Sequence, residues 1–406
     1  MPDEDFNSHD CLDLRFFNTF GIMDAYPFPV ARIGIIGGGQ LGRMMVKAAR
    51  RLGCNCVVLD SSPGSPAGQV AGHQIVGNCH DPARLRELVE STDVTTFDIE
   101  DIDTGTLLEL EREGRCIQPS PGILAVIQDK LTQKQRLREA HIPTSDFREV
   151  KGDFATAFTA FGYPLVQKAR RGGYDGRGVA VLQSEEDFAR HLPVSSFVER
   201  FVDAVKEIAV LVARGRDGEI RCYPVVEMIF RPGENVLDLL LAPADVPPET
   251  AAAAETLAVR TVEALGGVGI FGVEMFLTRV GEILVNEVAP RTHNSGHYTI
   301  EACVTDQFEQ HLRAVIGLPL GATEQLSPAA MINLLGAPGH HGRPVIKGMA
   351  AALAIPGVCV HIYGKAATTP FRKMGHVTVL DRDIREARRK AEQVRELMEI
   401  TGEDHP

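Results

Sequence analysis

The feature that most constrains the fold lies near the start of the chain. VARIGII (30–36) is a short apolar run rich in β-branched residues, and it empties into GGGQLG (37–42). RMMVKAARRLG (43–53) then has helical patterning, and CNCVVLD (54–60) is a second apolar run ending in Asp60. Strand, tight turn, helix, strand is a β-turn-α-β unit, and it commits the first part of the chain to α/β architecture. The alternation continues through QIVG, a helix over 82–91, DVTTFDI and a helix over 104–113, and stops at QPSPG (118–122). Residues 30–128 are therefore expected to form a doubly wound, Rossmann-like domain of roughly one hundred residues.

After this point the pattern changes. One helix is predicted over 123–140, followed by a small α+β segment, 129–205, built on FGYPLVQKA, VAVLQ and SSFVERFV as strands and EEDFARHL as a helix. Residues 206–327 add further strands, an Ala-rich helix over 249–265 and a helix over 300–316. Within them FGVEMFLTRVGEILVNEV reads as two strands joined at Val280-Gly281. Residues 328–400 alternate strand and turn and end in a charged helix over 383–399. Residues 1–29 are expected to be a disordered extension, with Met23 as an alternative start.

Composition narrows the function. A chain of 406 residues with 44% hydrophobic and 24% charged residues is ordinary for a multidomain globular protein. A formal charge of −12 argues against broad nucleic-acid binding. The eight cysteines form no paired CxxC units, and Cys54-Asn55-Cys56 has no second pair at zinc spacing. Reduced cysteines, no membrane-length apolar run and no basic-then-apolar leader together predict a cytoplasmic protein.

Four stretches carry chemistry. Gly37, Gly39 and Gly42 satisfy GxGxxG, and Asp60 lies near the offset of a ribose-binding acid. A dinucleotide site and a plain tight turn both remain open, with Gln40 placed to touch some ligand. RRGGYDGRG (170–178) is an open glycine-rich loop with basic side chains. It lacks the Walker pattern, and phosphate binding is favoured over a solvated hairpin tip because Lys168 sits on the strand before it. In VERFVDAVKE (198–207), a linker with Glu199 and Glu207 could hold an adenine and its ribose, or be a simple hinge.

The last stretch is EILVNEVAPRTHNSGHYT (282–299), where an apolar strand empties into a run of polar groups. Counting outward from Val280-Gly281 sets Glu274 opposite Glu287. Two facing carboxylates among apolar neighbours repel unless a cation lies between them, and Mg²⁺ with Asn286 or Asn294 nearby is the natural candidate.

Taken together, GGGQLGRM, DKLTQK, GGYDGRG, NEVAPRTHNSGHYT and FRKMGHV, in this order, resemble the ATP-grasp superfamily and, within it, the N5-carboxyaminoimidazole ribonucleotide synthetases, over residues 31–380. The resemblance implies an ATP-grasp fold with an N-terminal pre-ATP-grasp domain, a lid (129–205), a catalytic subdomain (206–327) and a small C-terminal β-rich domain. It implies ATP-dependent carboxylation of aminoimidazole ribonucleotide with bicarbonate, through carboxyphosphate, by a carbon–nitrogen ligase of purine biosynthesis. ATP would be held by Lys130, Lys168, Gly173, Tyr174, Gly176, Gly178, Glu199, Phe201, Val202, Glu207 and Asn286. Mg²⁺, two ions with Mn²⁺ able to substitute, would be held by Glu274 and Glu287. The ribonucleotide side would use Gln40, Glu100, Tyr174, Asp175, Arg177, Arg291, His293, Asn294, Lys365 and Arg372, with Asp175, Arg177, Arg291 and His293 closest to the chemistry. A homodimer is also implied, and a separate mutase would act downstream, since the chain stops at 406. The chain departs from the family pattern in two places. Met228-Ile229-Phe230 stands where the family often has Asn-x-His, and Asp98 replaces a Glu.

Overall fold

The computed structural model describes residues 26–173, 178–230 and 236–403. The opening pattern forms β1 (Arg32–Ile36), α1 (Gln40–Arg51), β2 (Asn55–Asp60), β3 (His73–Val76), α2 (Pro82–Glu90), β4 (Val94–Phe97) and α3 (Thr104–Arg112). The strands are parallel, in the order β3-β2-β1-β4. Ile33 and Ile35 pack in one core with Met45 and Ala49 of α1, while Ile36 joins Leu85, Leu88 and Leu107 on the other face. That alternation is what a strand covered on both sides requires.

The single helix expected over 123–140 is two, α4 (Pro121–Gln128) and α5 (Lys130–Glu139). Asp129 between them is extended, and its carboxylate accepts from the Leu131 and Thr132 amides. A short acid competes for backbone donors inside a helix but caps one well, so the chain restarts there. Arg170 binds the same carboxylate and ties this cap to the base of the glycine-rich loop.

The next sheet is antiparallel, β5-β8-β6-β7, from β5 (Phe147–Glu149), β6 (Leu165–Ala169), β7 (Val179–Leu182) and β8 (Ser196–Arg200), with α6 (Phe154–Phe161) packed on it through Phe158. The EEDFAR segment is a 3₁₀ turn rather than an α-helix.

The largest sheet follows. It uses β9 (Ala204–Arg214), β10 (Ile220–Cys222), β11 (Val226–Phe230), β12 (Leu237–Ala242), β13 (Gly269–Thr278) and β14 (Ile283–Ala289). The helices here are α7 (Pro248–Leu265), α8 (Thr299–Ala302) and α9 (Gln307–Ile316). The expected helix over 300–316 is thus also split, because Asp306 caps α9 by accepting from Phe308 and Glu309. Beyond lie β15 (Ala329–Leu335), β16 (Arg343–Lys347), α10 (Met349–Leu353), β17 (Val358–Ile362), β18 (Lys373–Leu380), α11 (Ile384–Leu397) and β19 (Glu399–Glu403).

The sheet order is β14-β13-β9-β11-β12-β15-β18-β17, with β10 on β9. Pairing of Leu239 with Ile332 through Ala242 with Ala329 carries one sheet across residue 328, so the last segment shares a ladder with the one before it. β19, which the sequence pattern did not show, pairs with β16 and closes the end of the described chain.

Candidate active site

The site is built on the β13–β14 hairpin at one edge of the large sheet. Leu277 pairs with Ile283 and Met275 with Val285, but Glu274 pairs with Glu287. The register shifts by one at Asn286, which is a bulge. A bulge re-aims side chains locally, and here it gives both Asn286 and Glu287 contacts with lysines. On β9, Glu207 lies opposite Phe276. Glu274 and Phe276 are two apart and share a face, so Glu207, Glu274 and Glu287 converge on one side of the sheet.

Three lysines reach this region, one paired with Glu287 and two with Glu199. Lys130, at the first turn of α5, forms an ion pair with Glu287. Lys134, one turn further, lies 2.8 Å from Glu199. Lys168 on β6 lies 2.9 Å from the other oxygen of Glu199 and donates to Asn286 at 2.8 Å. The Lys130 ammonium holds the Glu287 carboxyl down to about 2 in spite of burial, with Lys168 and His293 adding to the effect. Burial alone would lower Lys130, but the attraction of Glu287 outweighs it and the net direction is upward. Lys134 is pushed down to about 8 by burial, with repulsion from Lys168, although Glu199 opposes this. Glu207 feels Lys168 only weakly. Burial, then the charge of Glu274, push it up to about 7, with Glu287 adding to the effect and Lys168 opposing it.

The polar loop after β14 sits against the same acids. His293 Nε2 is 3.2 Å from Glu274, and its Nδ1 is 2.8 Å from the Ser295 hydroxyl. The ring packs so closely on β13 that a Cβ at Gly272 would lie 2.8 Å from its Cγ. Arg291 reaches Glu100 at 3.1 Å and so joins this loop to the end of β4. The Asn294 side-chain oxygen accepts from the Asn333 side-chain amide at 2.9 Å. Asn294 Nδ2 and Arg291 Nε are buried with no partner among the described residues. Unmatched buried donors are costly, and at a cleft they mark where a ligand's acceptors fit.

The glycine turn proves different. Gly42 N–H donates to Asp98 at 3.0 Å and Gly38 N–H donates to Asp60 at 2.8 Å. Asp60 also accepts from Ser62. The anion position at the start of α1 is filled by the chain's own carboxylates, so Asp60 is not free for a ribose and the tight-turn reading holds. Gln40 sits half-exposed in the first turn of α1. Gly364, next to Lys365, accepts from Gln69 and lies against Arg43 on that helix. The Lys365 ammonium is 5.8 Å from the Tyr363 ring, and Arg372 donates to Ala367 O at 2.8 Å.

Glu199 is buried beside the lysines. Its carboxylate is buried between Lys134 and Lys168, and its backbone lies in the β5-β8-β6 ladder. It is the counter-ion of two lysines, and in the linker beyond it Phe201 is exposed and Val202 half-buried. Gly173 and Gly178 flank the loop base, while Tyr174, Asp175, Gly176 and Arg177 lie outside the described residues.

Three family models match successive parts of the chain: the ribonucleotide synthetase preATP-grasp domain over residues 30–128, the ATP-grasp domain over 135–308 and the phosphoribosylaminoimidazole carboxylase C-terminal domain over 329–390. A crystal structure of N5-carboxyaminoimidazole ribonucleotide synthetase from Thermotoga maritima is similar with a TM-score of 0.86 and 51% identity, covering 92% of this chain and 100% of that one. The chain belongs to the N5-carboxyaminoimidazole ribonucleotide synthetase family. An Aspergillus clavatus synthase solved with ADP and aminoimidazole ribonucleotide is similar at a TM-score of 0.83 and 34% identity, covering 90% and 98% of the two chains. The phosphoribosylaminoimidazole carboxylase of Vigna aconitifolia is 42% identical over 86% of this chain, and the chain spans 64% of that relative's length.

Within this synthetase family frame, sequence reasoning passed over Lys134. Its spacing of four from Lys130 on one helix was the available signal. It also passed over the Asp129–Arg170 latch. Met228 is buried in the core opposite Glu207, so that strand offers no polar group at the departure from Asn-x-His. Among the described residues no group of three His, Cys, Asp or Glu side chains forms a ready metal cage. Two facing carboxylates still fit Mg²⁺, which is commonly held by one or two carboxylates with nucleotide phosphates and water completing its shell.

Proposed function

We propose that the chain is an ATP-dependent carbon–nitrogen ligase that joins bicarbonate to the exocyclic amine of aminoimidazole ribonucleotide, releasing ADP and phosphate. The observation that carries this reading is the meeting of two halves on one sheet face. Lysines paired with acids suit a nucleotide's phosphates, and unmatched donors of the 291–294 loop suit a second anion, with the Glu274–His293 contact linking them.

In this mechanism Lys130 and Lys168 exchange their carboxylate and amide partners for phosphate oxygens. A bicarbonate oxygen attacks the γ-phosphorus, ADP leaves and carboxyphosphate forms. The exocyclic amine then attacks the carboxyl carbon, or CO₂ released from it, the C–O bond to phosphate breaks, and the amine's proton passes to the departing phosphate. Arg291 and His293 hold the bicarbonate-derived group, and Asp175 orients the amine. Glu274 and Glu287 would hold Mg²⁺, which when bound supplies positive charge to the phosphoryl oxygens. Positioning and charge neutralisation carry most of the catalysis. The loop at 170–178 closes over the site and keeps water from the mixed anhydride. Lys365 and Arg372 take the ribonucleotide phosphate near Gln40 and Glu100. The same reading makes the chain a cytoplasmic homodimer whose product goes to a mutase.

The test is ADP release from Mg·ATP with bicarbonate and aminoimidazole ribonucleotide supplied singly and together. Strong stimulation that needs both is expected. Stimulation by another carboxylate and amine instead would keep the ATP-grasp chemistry and discard these substrates.

A further inference from the structure

Four buried glutamines in this chain do the same thing. Each pairs its side-chain amide with both backbone groups of one distant residue, as a neighbouring strand would. Gln167 takes Leu192, Gln310 takes Gly321, Gln133 takes Val288 and Gln307 takes His293. All four side chains are at most 3% exposed. Two of the four bracket the proposed site. β14 is the edge strand of its sheet, so the outward amide and carbonyl of Val288 have no strand to pair with. Gln133 supplies both bonds at 3.1 Å, directly after Glu287. Past the end of β14 the ladder is gone, and Gln307 holds the His293 N–H and C=O at 2.8 Å each. Its amide nitrogen also lies 3.2 Å from His297 Nδ1.

The segment between these clamps, 288–293, contains Pro290 and no regular structure after Ala289. Without a partner its backbone would be free to shift, and the side chains at its ends with it.

Building on the function proposed above, we propose that Gln133 and Gln307 are separate positioning residues. Gln133 fixes the Glu287 carboxylate on the metal side, and Gln307 fixes the His293 imidazole on the acceptor side. Neither touches a substrate. Displacing a reacting group by an ångström costs up to about a hundredfold in rate, so effects of about tenfold are expected from loosening one clamp.

The experiment uses the isosteric, non-hydrogen-bonding substitutions Gln133→Met and Gln307→Met, with Gln310→Met as control. Gln310 lies on the same helix as Gln307 and makes the same kind of clamp away from the site. Gln133→Met is expected to weaken Mn²⁺ binding in the presence of ATP about tenfold, read by electron paramagnetic resonance, with the KM for aminoimidazole ribonucleotide little changed. Gln307→Met is expected to lower kcat/KM for the ribonucleotide about tenfold while the KM for ATP stays within about twofold. Gln310→Met is expected to change neither. If Gln307→Met does not fold, Gln307→Glu, which still accepts from His293 N–H but repels its carbonyl, carries the same measurement. Equal kinetic losses in the Gln307 and Gln310 variants, or no split between metal binding and ribonucleotide use, would overturn the proposal. His293→Ala and Glu287→Gln separate the two layers. Retained turnover in those variants overturns the functional reading, whereas lost turnover there beside unaffected Gln133→Met and Gln307→Met overturns the clamps alone.

Discussion

The glycine turn at 37–42 and the hairpin at 269–289 both read as ligand sites in the sequence, and the structure treats them in opposite ways. In the turn, backbone donors at the start of α1 are already matched by Asp98 and Asp60. In the hairpin and the loop after it, acids crowd one face, Glu207 is driven up to about 7, and donors on Arg291 and Asn294 stay unmatched. A glycine fingerprint states only that the backbone must come close to something. Whether that something is a ligand or the chain's own side chain depends on which acids the topology delivers to it. Unbalanced charge and unmatched donors point more directly to an external partner.

The comparison can be broken most sharply at Glu287. Glu287→Gln removes the charge that Lys130 pairs with while keeping the side chain's shape. ADP release in the presence of bicarbonate and aminoimidazole ribonucleotide is expected to fall roughly a hundred- to a thousandfold, with circular dichroism and melting little changed. Near-normal turnover would mean that the hairpin acids are as structural as those of the turn.

Paired glycine substitutions give the next largest contrast. At Gly272 an added methyl would strike the His293 ring, so Gly272→Ala is expected to cost about tenfold or more in turnover with modest loss of stability. At Gly37, with φ of 93°, the methyl would lie 1.8 Å from an Asp98 oxygen. Gly37→Ala should therefore act first on stability, by roughly 1–3 kcal/mol or more, as seen in a lowered Tm. If both variants lose stability and turnover in the same proportion, the two regions do not differ in kind.

Much of the layout was legible because it rests on local periodicity. The opening strands, the Ala-rich helix and the 280–281 turn follow from patterns of two and of three to four. Two helices were drawn too long, since Asp129 and Asp306 restart the chain only because their side chains find adjacent amides. Opposition of Glu274 and Glu287 was reached by counting symmetrically about the turn, yet the strands near the turn are set one residue differently and the Asn286 bulge restores the pair. That bulge is invisible to a count. Lys134, Gln133 and Gln307 were missed for a related reason: a polar residue on a helix reads as solvated until the fold shows what it is buried against. The continuation of the sheet through β12 and β15 is a long-range pairing that no local pattern encodes.

The smallest expected effect tests the turn itself. Burial pushes the Asp98 carboxyl from its ordinary 3.8 up to about 6, only partly opposed by the Gly42 amide and by Arg291. The folded state therefore holds a proton that the unfolded chain releases at lower pH. Stability from this group is fully present below about pH 4 and is lost as pH rises through about 6, with a ceiling of about 3 kcal/mol. Asp98→Asn keeps an oxygen to accept from Gly42 and cannot ionise. Its chemical-denaturation midpoint should match the wild type near pH 4 and exceed it slightly at pH 8, with turnover reduced less than in the hairpin variants. A wild-type stability that instead rises between pH 4 and 6, with the rise lost in Asp98→Asn, would show that Arg291 and the turn's amides outweigh burial. The turn would then be a charged anchor for Arg291 and so part of the site it was contrasted with.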